Sequence, residues 1–208
     1  SRDNAMVSLR EDGGQLVEVG RASGLGPGEE IKSVRWFDDL AIIVTFRTTD
    51  PLYAVDLTDP ADPRTLGELK IPGFSEYLHP IGGDRLVGLG QDSDPLTGRT
   101  RGAQAALFDI SDLTRPRRLD LVTHGPDTWY GASGDPREFT WLSGSQRALA
   151  VGNGPGVTAW IDVLDVSASR VTSRRVSVRS ELTGSVRTVP LASGRVAVVS
   201  DVEVTFLR

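Results

Sequence analysis

The feature that most constrains the fold of this chain is a repeated order of apolar segment, turn and second apolar segment. One copy runs through Leu40–Phe46, a turn at Asp50–Pro51 and then Leu52–Leu57. Further copies follow at a spacing of roughly 45 to 60 residues, with different residues in each copy. Short apolar segments bounded by Gly, Pro, Asp and Ser predict antiparallel strands joined by turns. The sequence therefore predicts an all-β repeat protein with almost no helix.

Aligning the units places Asp56, Asp109 and Asp165 at equivalent positions. A four-stranded sheet of this length cannot bury both faces alone and must stack on its neighbours, which predicts a β-propeller of about four four-stranded antiparallel blades. It is either a complete domain over residues 1–208 or a portion of a larger propeller. A β-sandwich built from the same strands is the competing fold. The predicted blade units are residues 5–20 (partial), 31–70, 75–124, 137–179 and 185–207 (partial).

The partial units at the two ends are complementary in their strands. We expect Leu16–Val19 to pair beside a C-terminal strand, because closing one blade from both ends removes exposed sheet edges. In the alternative arrangement the ends stay open or are exchanged between copies, and the protein self-associates through its blade edges.

The composition excludes several partners and chemistries. The 208 residues carry a net charge of −5, and the basic residues of Arg115–Arg118 lie among acidic neighbours, so no nucleic-acid surface is predicted. The sequence contains no apolar run of the roughly 20 residues that a membrane-spanning helix needs. The absence of Cys excludes disulfides, thiol nucleophiles and thiolate zinc sites.

Five phrases of this sequence carry a resemblance to a known family: Val44–Tyr53, Leu66–Ser75, Tyr77–Pro80, Gly88–Gly90 and Leu107–Asp112. They resemble those of the secreted β-propeller domain family of bacteria and archaea. The resemblance covers most of the chain from Trp36 onward and implies an extracytoplasmic protein of which this chain is a portion. Members of that family tend to carry an Asp-His pair before the blade that Phe139 opens, where this chain has Asp135-Pro136, so a role for that His is not carried over.

The predicted function is a non-catalytic binding or assembly module that presents loops on a propeller scaffold to a protein or carbohydrate. Trp129 and Tyr130, in the loop before the third blade, are predicted to face solvent and to bind the ligand. Trp36, Trp141 and Trp160 fall on strands and are predicted core residues. The alternative is a metal-dependent propeller enzyme acting on a small ester or sugar.

One loop has the composition of a cation site. Asp92, Asp94 and Thr97 supply alternate oxygen ligands beside Gly98, as a Ca²⁺ loop does, but the loop lacks the terminal bidentate Glu. A polar surface loop explains the same residues, so no cofactor is predicted and Ca²⁺ is the alternative.

No catalytic residue is predicted. The repeated Asp residues precede Thr58, Ser111 and Ser167 by two positions, a spacing at which a carboxylate accepts from local backbone N–H groups and shapes a turn. His79 is expected to be a core or strand-end histidine with one hydrogen bond, and His124 is expected to be exposed. The serines of Gly131–Gly134 and Ser143–Ser145 do not complete a nucleophile elbow.

Overall fold

The computed structural model of the protein describes residues 3–46, 50–71, 73–94, 96–155, 158–179 and 185–207. These residues form antiparallel sheets, and the helical segments among them are three short 3-10 turns. None of the helical segments in these ranges is long and apolar enough to cross a membrane.

The first two strands form a separate hairpin. Its turn contains Gly13 and Gly14, at φ angles of 58° and 81°. A backbone with positive φ is accessible to Gly without steric cost, so the turn is tight. The strands are β1 (Met6–Asp12) and β2 (Gln15–Ala22).

Two complete four-stranded meanders follow. In each, every strand pairs with its neighbour in sequence, as short polar turns between alternating segments dictate. The first blade contains β3 (Glu30–Phe37), β4 (Leu40–Phe46), β5 (Asp50–Asp56) and β6 (Arg64–Ile71). The second contains β7 (Phe74–Gly82), β8 (Arg85–Ser93), β9 (Thr100–Asp109) and β10 (Arg117–Thr123).

The third blade has an interrupted inner strand. Two short strands both pair with β13 along different parts of its length, and 3-10 turns at Gly131–Ser133 and Pro136–Glu138 separate them. The third blade therefore begins at Trp129, before the predicted start at residue 137. Its strands are β11 (Trp129–Tyr130), β12 (Phe139–Leu142), β13 (Arg147–Asn153), β14 (Thr158–Val166) and β15 (Val171–Arg179).

The C-terminal sheet has three strands in the described part of the chain, β16 (Arg187–Pro190), β17 (Val196–Val199) and β18 (Val204–Leu207). Hydrogen bonds between side chains and backbone tie the inner strands of neighbouring sheets together. Ser33 on β3 donates from Oγ to the Ser75 carbonyl of β7 at 2.8 Å. Thr140 on β12 donates from Oγ1 to the Thr188 carbonyl of β16 at 3.2 Å.

Hydrophobic clusters separate successive sheets. Adjacent residues of a strand point to opposite faces, so Ile42 and Ile43 pack on different neighbours of the first blade. Each blade thus buries both faces against the sheets before and after it. Met6 and Ile43 belong to the cluster between the hairpin and the first blade, and Ile42 and Phe108 to the cluster between the first and second blades. Leu107 and Leu164 belong to the cluster between the second and third blades, and Leu149 and Val198 to the cluster between the third blade and the C-terminal sheet.

This serial stacking of antiparallel meanders confirms the predicted β-propeller fold class. A sandwich would have one core between two sheets, so that alternative is wrong. The expected closure within one chain is also not formed, because Leu16–Val19 pair only with β1 and β18 pairs only with β17 among the described residues. The hairpin instead packs on the first blade through Met6 and Ala22.

Two local predictions are corrected. Trp36 was expected in the core but is 60% exposed, because it lies on β3, which is an edge strand of its sheet. Asp92 was expected in the same loop as Asp94 and Thr97, but it lies on β8, which continues to Ser93, and β9 begins at Thr100.

Candidate functional site

A cleft opens beside the second blade, where β9 meets the segment that leads into β11. Its volume is about 310 Å³. Trp129, held at the start of β11 by pairing with Asn153, is 46% exposed at this cleft. An exposed indole among hydrogen-bonding side chains suits a ligand with apolar and polar surfaces. The cleft is lined by Gln91, Thr100, Gly102, Asp127, Thr128 and Trp129.

The wall of the cleft is fixed by hydrogen bonds through buried Thr128. Its Oγ1 accepts from the Ala103 backbone N–H at 2.9 Å and donates to the Gly125 carbonyl at 2.6 Å. Gln91 Nε2 donates to the Thr128 carbonyl at 3.3 Å. Because Trp129 follows the anchored residue directly, its position is set before a ligand arrives, which lowers the entropic cost of binding.

Gly102 permits the close approach of β9 to the Gly125–Trp129 segment. Its φ is 131°, a conformation that side-chain-bearing residues rarely adopt, and a Cβ there would lie 2.1 Å from the Gly125 carbonyl oxygen. Any other residue at this position would push the Gly125–Trp129 segment away from β9.

A buried polar network lies behind Trp129. The Tyr130 hydroxyl donates to Asp162 Oδ2 at 2.5 Å, and His124 Nε2 lies 2.6 Å from the same oxygen. Ser173 donates from Oγ to Asp162 Oδ1. The carboxylate only accepts, so His124 carries a hydrogen on Nε2. The network joins the end of β10 to β11, β14 and β15, and thus fixes the third blade against the second.

Electrostatics agree with an ionised Asp162 and a neutral Tyr130. Burial is the largest influence on Asp162 and would raise its pKa, but hydrogen bonds from His124, Ser173 and Tyr130 together outweigh burial and hold the pKa below its ordinary value. Burial, followed by the negative charge of Asp162, raises the pKa of Tyr130 well above its ordinary value. Asp162 is 0% exposed, so the network supports the fold and has no direct access to a ligand.

Two of the predicted exposures are therefore corrected. Tyr130 was expected to face solvent with Trp129 but is 1% exposed, because its hydroxyl is a partner of Asp162. His124 was expected to be exposed, but its side chain is 5% exposed. One sequence signal could have revealed the network: Asp162 stands between the apolar residues Ile161 and Val163 in the middle of a strand, and a charged residue in such a place is buried only with partners.

The predicted cation residues lie at the tip of the hairpin that flanks the cleft. Asp92 is on β8 opposite Gly102, while Asp94 and Thr97 lie in the turn. The Asp94 carboxylate accepts from the backbone N–H groups of Thr97 and Leu96 at 2.9 Å each and pairs with Arg101. These contacts hold the pKa of Asp94 at about 2, with the backbone donors the largest cause. Across the described ranges, no three His, Asp or Glu residues are grouped to hold a metal.

The repeated Asp residues mostly serve their own turns, as predicted. Asp56 accepts from the Thr58 backbone N–H at 3.0 Å and from its hydroxyl at 2.6 Å, and Asp109 makes the same two contacts with Ser111. Asp165 differs, because it accepts from Arg147 Nε at 2.5 Å across the strand pair.

Ser133, Ser145 and His79, the other residues considered for chemistry, form hydrogen bonds with residues close to them in sequence. Ser133 and Ser145 donate to the Tyr130 and Leu142 carbonyls at 3.0 and 3.4 Å. His79 is half-buried, and its Nδ1 lies 3.2 Å from the Tyr77 hydroxyl, in agreement with the expected single side-chain hydrogen bond. Burial, then the charge of Arg35, lowers the pKa of His79 to about 4.

Known proteins resemble this chain in sequence and in fold. A family model described as a beta propeller domain matches residues 1–178. An uncharacterised protein of Methanocaldococcus jannaschii is 44% identical over 126 residues, covering 61% of this chain and 19% of that protein. One from Archaeoglobus fulgidus is 45% identical over 103 residues, covering 50% of this chain and 16% of that protein.

A solved structure of a candidate dipeptidyl aminopeptidase IV from Bacteroides ovatus has a TM-score of 0.51 at 10% identity, covering 95% of this chain and 33% of that chain. At this identity the likeness concerns the fold alone. The match to each archaeal relative spans less than a fifth of that relative's length.

Proposed function

Because this chain belongs to the beta propeller domain family, we propose that it is a non-catalytic extracytoplasmic module that binds a protein or carbohydrate ligand through loops on the propeller scaffold. One observation carries the proposal: Trp129 is 46% exposed at a cleft of about 310 Å³. Loops that a rigid scaffold positions are where binding residues concentrate.

The chemistry of the cleft favours a ligand with many hydroxyl groups. The indole of Trp129 offers a flat apolar surface, and Asp127, Gln91 and Thr100 surround it with groups that accept or donate hydrogen bonds. Asp127 is held at a φ of 57°, which fixes the direction of the chain beside the indole. A sugar ring presents both kinds of surface at once, so carbohydrate is the first ligand class to test.

The metal-dependent enzyme remains the alternative, but the carboxylates considered for it have local partners. Asp56 and Asp109 use their carboxylates within their own turns. Asp94 uses its carboxylate in the same way, beside Arg101. The extracytoplasmic location rests on the sequence resemblance to secreted propellers and is testable by protease accessibility of the protein in intact host cells.

The experiment is a titration with a panel of soluble oligosaccharides, measured by isothermal titration calorimetry, on the wild type, Trp129→Ala and Trp36→Ala. Trp36 is the matched control, because it is also exposed, at 60%, but lies on β3 of the first blade. We expect Trp129→Ala to weaken binding at least tenfold and Trp36→Ala to leave it unchanged. Equal loss in both variants, or no response to any sugar in the panel, would count against a carbohydrate site at Trp129.

A further inference from the structure

A second cavity lies between the third blade and the C-terminal sheet, away from Trp129. Its volume is about 260 Å³. The floor is apolar, with Leu149 at 1%, Val163 at 3% and Val196 at 7% exposure, and the half-buried Leu142 and Leu207 continue it. The cavity is open to solvent at its rim.

Three arginines from three different strands line this cavity. Arg147 comes from the start of β13, Arg174 from β15, and Arg195 from the residue before β17. All three are exposed at the rim. We name Arg147, Arg174 and Arg195 the arginine rim.

Neighbouring carboxylates neutralise only part of the positive charge of the arginine rim. Arg147 pairs with Asp165 at 2.5 Å. The ion pairs in the described part of the chain include neither Arg174 nor Arg195. Arg195 lies over the Phe206 ring, with its guanidinium carbon 4.1 Å from the ring centre. Two guanidinium groups outside the described ion pairs, Arg174 and Arg195, thus lie beside the paired Arg147 at one apolar cavity, in a chain whose net charge is −5.

The corresponding crevice between the first and second blades shows that the fold does not require this charge. That crevice, of about 340 Å³, is lined by Asp39, Asp84 and a single arginine, Arg85. Leu40, which begins β4 and pairs with Asp56, stands where Arg147 begins β13 and pairs with Asp165. The second strand begins with an apolar residue in the first blade and with an arginine opposite an aspartate in the second and third, so the fold forms without an arginine at this position.

Arg85 also shows what an arginine does here when its role is structural. Its Nη1 donates to the Ser167 and Ala168 carbonyls of the next blade, at 3.2 and 2.6 Å. Arg195 precedes β17 in the last sheet of the described chain, where no following blade offers it carbonyls, and its guanidinium lies over the Phe206 ring. A guanidinium that neither pairs nor bridges blades keeps its donors for another group.

Neighbouring guanidinium groups repel one another, and an anion between them removes that repulsion. The planar fork of Arg suits a carboxylate, which it binds with two parallel hydrogen bonds. The apolar floor and the small volume select a short apolar group attached to that carboxylate. We propose that the arginine rim binds a small carboxylate ligand whose apolar group rests on Leu149, Val163 and Val196.

The test is an NMR titration of the ¹⁵N-labelled full chain with phenylacetate as the probe, phenylacetamide as its neutral counterpart, and inorganic phosphate as an anion without an apolar group. We expect phenylacetate to shift the amides of Arg174 and Arg195 in a saturable way. Its affinity should be at least tenfold higher than that of either counterpart and should fall as salt is added.

The variant that tests the site is the double substitution Arg174→Gln and Arg195→Gln, with Arg170→Gln as the matched control. Arg170 precedes β15 and does not line the cavity. All three positions are exposed, so we expect the variants to fold, and the unshifted amides of the spectrum check this. The double variant should lose at least tenfold in affinity, and the control should retain it. Equal binding of phenylacetamide, phosphate binding as tight as that of phenylacetate, or an unchanged affinity in the double variant would each overturn the proposal.

Discussion

At the scale of single residues, Asp162 is a buried carboxylate with three side-chain hydrogen-bond partners, His124, Tyr130 and Ser173. Replacing it with Asn leaves Tyr130 and His124 facing an amide in a site that is 0% exposed. We expect Asp162→Asn to lower the free energy of unfolding by about 2 to 4 kcal/mol at neutral pH, because buried donors lose their charged acceptor. Urea denaturation measures this loss, and Ser133→Ala, on the neighbouring 3-10 turn, is a mild control.

The same variant has an expected pH dependence. The pKa of Asp162 is lower in the folded protein than its ordinary value of 3.8. Its contribution to stability is thus fully present above about pH 4 and is lost as the pH falls through the lower folded pKa. The difference in unfolding free energy between the wild type and Asp162→Asn should shrink as the pH falls from 5 towards 2. A difference that stays constant over that range would show that Asp162 is not ionised in the fold.

The turn at Asp94 gives a second prediction for single residues. Its carboxylate already binds two backbone N–H groups and Arg101, so we expect millimolar Ca²⁺ to leave the melting temperature of the wild type unchanged. The double variant Asp92→Asn, Asp94→Asn should stay within about 0.5 kcal/mol of the wild type. A calcium-dependent rise in melting temperature that the double variant loses would instead establish the Ca²⁺ site of Asp92, Asp94 and Thr97.

Sequence patterns predict side-chain environment where the cause is local. The turn role of Asp56 follows from Thr58 two residues on, and the structure confirms it. The burial of Tyr130 was not predictable in the same way, because its partner Asp162 is 32 residues away. Trp36 lies on a strand with a regular alternating pattern, but alternation does not show which strand lies at the edge of a sheet, where Trp36 is exposed.

At the scale of elements, strand residues buried between neighbouring blades should contribute more to stability than exposed strand residues. Leu164, on β14, is 0% exposed between the second and third blades. We expect Leu164→Ala to cost about 2 to 4 kcal/mol, because a cavity remains. Leu16→Ala on β2 is the same substitution at 70% exposure and should cost at most about 0.5 kcal/mol. Thermal and urea denaturation measure both losses of stability. If the two variants lost equal stability, the register of β14 would be contradicted.

The strands of the first two blades were predictable because alternation and turn residues are local signals. The turn between β7 and β8 shows such a signal, because Gly83 and Asp84, residue types that favour turns, lie there at positive φ. The interrupted inner strand of the third blade was not predicted. Trp129–Tyr130 is too short to show a period, and it is a strand only because Gly152 and Asn153 of β13 pair with it.

At the scale of the whole molecule, stability is distributed over interfaces between neighbouring sheets, as in other repeat folds. The repeat period predicted this stacking. It did not predict how the ends are arranged, because the packing of a hairpin on one neighbour or the other depends on contacts distant in sequence. Met6 and Ala22 pack in one cluster with Ile43 and Val55 of the first blade, so the hairpin packs against that blade.

Both end sheets present an edge strand with exposed apolar residues. On the C-terminal sheet, Val204 on β18 is 63% exposed and Phe206 is 41% exposed, and on the hairpin Leu9 on β1 is 54% exposed. Such edges pair readily with another copy. We therefore expect the 208-residue chain to associate as its concentration rises from micromolar to millimolar, measured by light scattering during size-exclusion chromatography.

The sequence has no Cys, so introduced thiols report on this association without background. In the double variant Leu9→Cys, Phe206→Cys, mild oxidation should give disulfide-linked dimers and larger species, because the two edges belong to separate sheets within one chain. Adding Val204→Lys should suppress the linked species, since a charge on an edge strand opposes pairing. A chain that stays monomeric at every concentration and forms only an intramolecular disulfide would instead show that the two ends meet within one molecule and close the propeller.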